Sequence, residues 1–244
     1  MEKTLKKILN IQNYLYRIRL TFFYLIRSIL AKWKIIVIRE IAQLEHKRII
    51  DPYQLPYPDM DFIRISSLEL IMHEIAEKNV PGAVAELGVY YGGFAKFISL
   101  CFPDRKLYLF DTFEGFAESD LKAEQQKGFS SVFQDFKVED LEVTLKKITN
   151  RDNCIIKKGL FPHTAMGLEE TFCFVSIDTD LYQPIYEGLK YFYPRLQKGG
   201  YIFVHDYNHS WYKGAKQAVR DFCSENNCSY FPLSDYGGSA IINK

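Results

Sequence analysis

The sequence predicts an α/β fold of the Rossmann-like kind: a mostly parallel seven-stranded sheet with a reversed last strand, preceded by an N-terminal helical extension. Three observations predict it. From Val84 to Val204 short apolar runs of strand length alternate with stretches of helical periodicity, and repeated β-α units of this kind imply a parallel sheet covered on both faces. A glycine-bearing turn, Gly88 to Gly93, follows the first of these runs. Finally, Asp235-Tyr236-Gly237-Gly238 is too short for a parallel crossover, which needs about a dozen residues, so the two segments it joins are antiparallel neighbours.

Taken in order, residues 1–50 contain no Gly or Pro and are rich in Leu, Ile, Tyr and Phe, which predicts one or two long helices. Pro52, Pro56 and Pro58 end that pattern and mark a linker, so 51–80 reads as linker and lead-in helix and 81–244 as the main domain. Leu68, Ile71, Met72 and Ile75 give the lead-in helix its apolar face, closed by Pro81-Gly82. Strands are expected over Val84–Val89, Lys106–Phe113, Cys154–Phe161, Phe172–Ile177 and Tyr201–Val204. Between them, helices are marked by Phe94, Phe97, Ile98 and Cys101, by Val138, Leu141, Leu145 and Ile148, and by Ile185, Leu189, Phe192 and Leu196, the last stopped by Gly199-Gly200. The segment after the second strand reads as a long polar stretch. A helix through Ala215, Ala218, Val219 and Phe222 precedes the last two strands, Ser229–Leu233 and Ser239–Asn243.

Composition excludes some functions. The chain has 244 residues and a net charge of +1, so no nucleic-acid partner is expected. The basic residues are unevenly placed: 1–50 holds eleven Lys/Arg against Glu2, Glu40 and Glu45. Its longest uncharged apolar run, Leu20–Ile26, is far short of the roughly 20 residues that cross a bilayer. The basic extension then either lies on an anionic membrane surface or packs on the main domain or a second subunit of a homo-oligomer. Nothing resembles a signal peptide. Five cysteines without a CxxC pair form no zinc or disulfide framework, and Cys101, Cys154 and Cys173 read as buried free thiols of a cytoplasmic protein.

The candidate chemistry lies at strand tips. Glu86 ends a buried strand, where a carboxylate is costly unless it meets a partner such as a ligand ammonium. Gly88 and Gly92 are four apart, unlike the dinucleotide G-x-G-x-x-G fingerprint. Asp111, followed by Thr112 and Phe113, closes the second strand, where an acid is placed to accept both hydroxyls of a nucleoside ribose. The fourth and fifth strands end in Asp178-Thr179-Asp180 and His205-Asp206-Tyr207. Both tips open at the same carboxyl edge, so these polar groups converge, and oxygen-rich clusters suit a hard divalent ion such as Mg²⁺. Trp211, Tyr212 and Tyr207 are candidates for stacking on a sugar ring.

At these residues the chain resembles the macrocin and mycinamicin family of sugar O-methyltransferases. The matching stretches are Val84 to Val89 with Gly92-Gly93, Leu109 to Gly115, Gly159 to Pro162 with Thr164, Ile177 to Tyr182, Tyr193 to Gly200, and Asp206-Tyr207. The resemblance covers roughly 81–244 and implies S-adenosylmethionine as methyl donor, Mg²⁺ at the site and a sugar or glycan hydroxyl as acceptor. By position it implies that Glu86, Gly88 and Asp111 hold the donor, together with Gly92, Thr112, Phe113 and Asp178. Asp178 and Asp206 would bind the metal with His205 beside them, and Asp180 would be the general base for in-line methyl transfer. One departure stands out: the family usually has Asp-Asp before the tyrosine, where this chain has His205-Asp206. Imidazole suits Mg²⁺ less well than a carboxylate does and softer metals better, so another divalent ion stays open. A nicotinamide oxidoreductase is disfavoured by the glycine spacing and the reversed strand. A non-catalytic donor-binding or membrane-associated scaffold would differ in having its three aspartates blocked or pointing apart.

Overall fold

The computed structural model describes Leu25, 48–50, 61–131 and 133–244. The expected helical extension over 1–50 and the proline linker at 51–60 lie outside the described residues, apart from Leu25 and Arg48 to Ile50. Arg48–Lys244 forms one compact unit. It opens with helix α1, Phe62–Glu77, whose first amides are capped by the Asp61 carboxylate (Ile63 N at 3.0 Å, Arg64 N at 3.2 Å). Then follow β1 (Ala83–Leu87), α2 (Ala95–Cys101), β2 (Leu107–Asp111), α3 (Glu118–Gln126), α4 (Leu141–Leu145), β3 (Cys154–Lys158) and β4 (Phe172–Ile177). The chain closes with α5 (Tyr182–Arg195), β5 (Leu196–Val204), α6 (Lys213–Glu225), β6 (Tyr230–Pro232) and β7 (Ala240–Asn243).

The seven strands form one sheet in the order β3-β2-β1-β4-β5-β7-β6. Only β7 is reversed, antiparallel to both β5 and β6, as the short connection through Gly237-Gly238 required. Central strands β1 and β4 are buried at every position, which explains their unbroken apolar runs. The edges are managed differently. β3 ends in Lys157 and Lys158, and β6 ends in Pro232, both of which discourage further strand addition. Alternate residues of each strand feed two cores. Ala83, Ala85 and Leu87 face α5 and α6 through Ile185, Leu189, Phe192, Ala218 and Phe222. Val84, Leu109 and Phe174 face α1 and α2 through Leu68, Ile75, Phe97 and Ile98. Fully buried side chains of this size contribute about 1.5–3 kcal/mol each through removal from water.

Several boundaries differ from the sequence expectation. β1, β2 and β3 stop at Leu87, Asp111 and Lys158, because the residues beyond them turn into loops with positive φ at Gly88, Phe113 and Gly159. α5 gives way to strand at Leu196, and β5 runs straight through Gly199-Gly200; the helix is stopped by Pro194 in its last turn. A Cβ at Gly200 would lie 2.8 Å from the Cys173 carbonyl oxygen of β4, so close strand pairing explains that glycine. The helix expected around Val138–Ile148 is only five residues long. The polar stretch hides α3, whose one buried residue is Glu124. That carboxylate accepts the Tyr182 amide at 3.0 Å and so caps α5, whose own N-cap is Leu181 and carries no acceptor. Cys101, Cys173 and Cys223 are buried, whereas Cys154 is half-buried against expectation; all five described cysteines are free. Among the described residues no helix is long and apolar enough to cross a membrane.

Candidate active site

The strand order reverses direction at β1 and β4, the switch point where open α/β sheets place their ligands. Glu86 sits beside Ser176 in the parallel register of these strands. It is 1% exposed, one of its oxygens has no partner, and burial pushes its carboxyl well above the usual range while Arg64 pulls the other way.

The loop that follows is tied down by Asp111. One carboxylate oxygen accepts the amides of Val89 (2.6 Å) and Tyr90 (2.8 Å), and the other accepts Phe113 N at 2.7 Å. Each carboxylate oxygen offers two lone pairs, so these three amides leave one acceptor direction open. Thr112 and Phe113 build the turn: the Thr112 hydroxyl donates to Gly115 O at 2.7 Å, and the Phe113 ring is buried in the core. The two glycines also serve the protein itself. A side chain on Gly88, at φ +86°, would run into the Asp178 carbonyl oxygen, and one on Gly92, at φ +70°, would press on Thr144 at 2.8 Å. Gly88→Ala is therefore expected to cost about 3 kcal/mol or more, lowering Tm by about 6–12 °C. A thermal melt matching that of the unaltered protein would refute the close approach of the β1 and β4 tips.

The tips of β4 and β5 do converge. Asp178, His205 and Asp206 each place a ligand atom so that all lie within 4.8 Å of one another. His205 Nδ1 is 3.1 Å from Asp178 Oδ1 and 3.1 Å from Asp206 Oδ2. Asp180 and Asp206 are buried at 9% and 8% exposure and both take left-handed backbone, at φ +59° and +54°. These angles turn the chain sharply off the strand ends. Burial, then Asp206 and Asp178, push the Asp180 carboxyl well above the usual range. Burial and Arg64 oppose protonation of His205, yet Asp178 and Asp206 outweigh them and lift its pKa to about 10. Asp178 goes the other way: burial would raise it, but His205 and Arg64 hold it well below the usual carboxylate range.

Arg64 was not singled out from the sequence. It reaches in from α1, donates Nη1 to Asp178 Oδ2 at 2.9 Å and Nη2 to Ser176 Oγ at 3.0 Å, and stacks over the Phe94 ring at 3.8 Å. Its only signal is a charged residue next to the apolar face of the lead-in helix. Of the three aromatics, Tyr207 and Tyr212 are buried, Tyr207 bonded to Tyr230 (2.8 Å between hydroxyls) and Tyr212 stacked on His209, whereas Trp211 is 49% exposed and meets the His209 ring in a T-shaped contact at 5.7 Å.

The chain is similar to several known proteins. The family model described as macrocin O-methyltransferase (TylF) matches residues 34–236. The 8-demethyl-8-(2,3-dimethoxy-alpha-L-rhamnosyl)-tetracenomycin-C 4'-O-methyltransferase of Streptomyces olivaceus is 23% identical over 195 residues, covering 73% of this chain and 72% of that protein. The mycinamicin III 3''-O-methyltransferase of Micromonospora griseorubida is 26% identical over 158 residues, 59% of this chain, which spans only 62% of that relative's length. Among solved structures the O-methyltransferase NovP superposes with a TM-score of 0.60 at 20% identity, covering 74% of this chain and 79% of that one, and the calicheamicin methyltransferase CalS11 with 0.59 at 20% identity, covering 74% and 78%. These likenesses establish the fold, a Rossmann-like methyltransferase sheet with a reversed last strand. Matched by the family model over most of its length, the chain belongs to the macrocin O-methyltransferase family and is an S-adenosylmethionine-dependent O-methyltransferase.

Proposed function

We propose that the chain methylates a hydroxyl of a sugar-bearing acceptor, with a divalent ion held by Asp178, His205 and Asp206 and with Asp180 as general base. The observation that carries this reading is the meeting of two carboxylates and an imidazole at two neighbouring strand tips, with the Asp180 side chain hydrogen-bonded to Asp206 beside them. The curated relatives named above are sugar O-methyltransferases by description, which supports the acceptor class.

The donor set fits a cation. Asp178, Asp180 and Asp206 lie close to one guanidinium and one imidazole, and burial first, then the neighbouring Asp206 and Asp178 carboxylates, push the Asp180 carboxyl upward, a pressure a cation would relieve. Bound there, a divalent ion would polarise the acceptor hydroxyl and lower its pKa. Asp180 would take the proton from that hydroxyl. Its elevated pKa is the direction that strengthens a carboxylate as a base. Arg64 keeps Asp178 ionised and fixed in direction through the 2.9 Å contact, while Asp111 braces the loop beneath the donor through its three amide bonds. Glu86, Gly88, Gly92, Asp111, Thr112, Phe113 and Asp178 form the donor side of this arrangement, some by contact and some by shaping the loops. Trp211 offers an aromatic face for the sugar ring. Mg²⁺ is the ion the family resemblance implies, and a softer divalent ion suits His205 better. Free thiols fit a reducing cytoplasm. The part played by residues 1–50 at a membrane surface or a second subunit belongs to the same proposal and is read out by partitioning and mass of a chain lacking them.

Incubating the protein with isotopically labelled S-adenosylmethionine and a panel of rhamnosylated and other glycosylated acceptors should give products heavier by one labelled methyl on the sugar. Label found only on aglycone hydroxyls would replace the acceptor class.

A further inference from the structure

We propose that Cys223 and Cys228 form a reversible dithiol–disulfide couple at the end of α6, oxidised by exchange with a small disulfide of the glutathione type. The pair takes no part in the methyl transfer described above.

The cap of α6 brings the two cysteines together. Asn227 takes left-handed backbone at φ +47°, the chain turns back on the helix, and the Cys228 amide donates to the Cys223 carbonyl oxygen at 3.1 Å. In a helix end of this kind the two residues joined by that bond also meet through their side chains, usually as an apolar contact. Here both are cysteines, and their thiols are hydrogen-bonded to each other. Burial first, and then that bond, push the Cys223 thiol up to about 12. Two sulfurs in contact, on backbones already tied together, reach the roughly 2.05 Å of an S–S bond by side-chain rotation with little backbone movement.

The two thiols differ in access. Cys223 is buried in the core beneath α6, whereas Cys228 is half-buried. Both border an open cleft of about 430 Å³ that also takes in Arg220, Asn227 and Tyr230. Arg220 is exposed there, with its guanidinium held by the Tyr230 and Tyr207 hydroxyls, and it offers a cation to the carboxylates of a glutathione-type disulfide.

The exchange balances in two steps. The Cys228 thiolate attacks one sulfur of oxidised glutathione, whose S–S bond breaks; a mixed disulfide forms on Cys228, and one glutathione leaves as a thiolate and takes up a proton. Cys223, as its thiolate, then attacks the Cys228 sulfur, closes the internal bond and expels the second glutathione. Two protein thiols are oxidised, one small disulfide is reduced to two thiols, and the protons lost by the cysteines end on those leaving thiols.

The folded full chain, held in glutathione with about a tenfold excess of the reduced form and then cut with trypsin without reduction, tests this by mass spectrometry. The peptide 221–244 carries both cysteines, and half-buried Cys154, at the start of β3, serves as a reference thiol. The peptide should become lighter by two hydrogens and retain no glutathione, with a ratio of oxidised to reduced form about tenfold or more above that of Cys154, because the second thiol is already in place. Dithiothreitol should restore its mass. In Cys223→Ser the oxidised fraction should fall to that of Cys154 and consist of a glutathione adduct, and in Cys228→Ser the peptide should stay reduced. A peptide that stays reduced in the unaltered protein while Cys154 takes up glutathione would overturn the inference, as would a lasting adduct on Cys228 in place of the internal bond. Both readings are made on the unaltered chain and stand even where Cys223→Ser does not fold.

Discussion

Asp180→Asn is expected to lower kcat about a thousand-fold, within the range that a positioned base contributes, while S-adenosylhomocysteine binds with its affinity unchanged. The substitution is chosen for its neutrality elsewhere. Asn is isosteric with Asp and tolerates left-handed backbone as well as Asp does, so the φ of +59° at this position is kept. It also retains a hydrogen-bonding side chain toward Asp206, so the buried pair is not left with a bare charge. What it loses is the capacity to accept a proton. Single-turnover rates with a saturating acceptor would report the chemical step without interference from binding. A kcat within about tenfold of the unaltered enzyme would remove Asp180 as the base.

The strand tips were legible in the sequence because each is a polar residue that abruptly ends a buried apolar run. Glu86, Asp111, Asp178 and His205-Asp206 all share that signature, and the sheet order then forces the last two groups together. What was not legible depends on contacts distant in sequence. Arg64 and Asp178 are separated by 114 positions, and a helix pattern says nothing about which distant strand its one buried cation will meet. The amide contacts of Asp111 follow from loop curvature that no spacing rule encodes. α3 escaped notice for a different reason: its single buried residue is Glu124, so apolar periodicity, the signal used to find helices, is missing from it. Gly88 shows how a correct motif can carry an incomplete reason. Its freedom serves close contact with the β4 tip, which shapes the crevice before any ligand enters.

Removing divalent ions with a chelator is expected to cut turnover by about a hundred-fold or more, corresponding to the several kcal/mol that Lewis-acid stabilisation supplies. The identity of the ion needs a subtler measurement. Any site of nitrogen and oxygen ligands binds Ni²⁺ more tightly than Mn²⁺, so tight Ni²⁺ binding alone would say nothing about His205. The informative quantity is how the preference for Ni²⁺ over Mg²⁺ changes when the imidazole is replaced. His205→Asp places a third carboxylate between Asp178 and Asp206, where His205 Nδ1 now lies 3.1 Å from each. That exchange should raise Mg²⁺ affinity and lower the Ni²⁺ to Mg²⁺ ratio by about tenfold or more, because imidazole favours the softer ion and carboxylate the harder one. Calorimetry on the ion-free protein measures the ratio without recourse to turnover. An unchanged ratio would mean that the imidazole is not a ligand. Full activity in the presence of chelator would carry a larger correction: the positive charge facing the developing alkoxide would then come from His205, whose pKa is already lifted to about 10 by the two carboxylates it touches, and from Arg64 behind it.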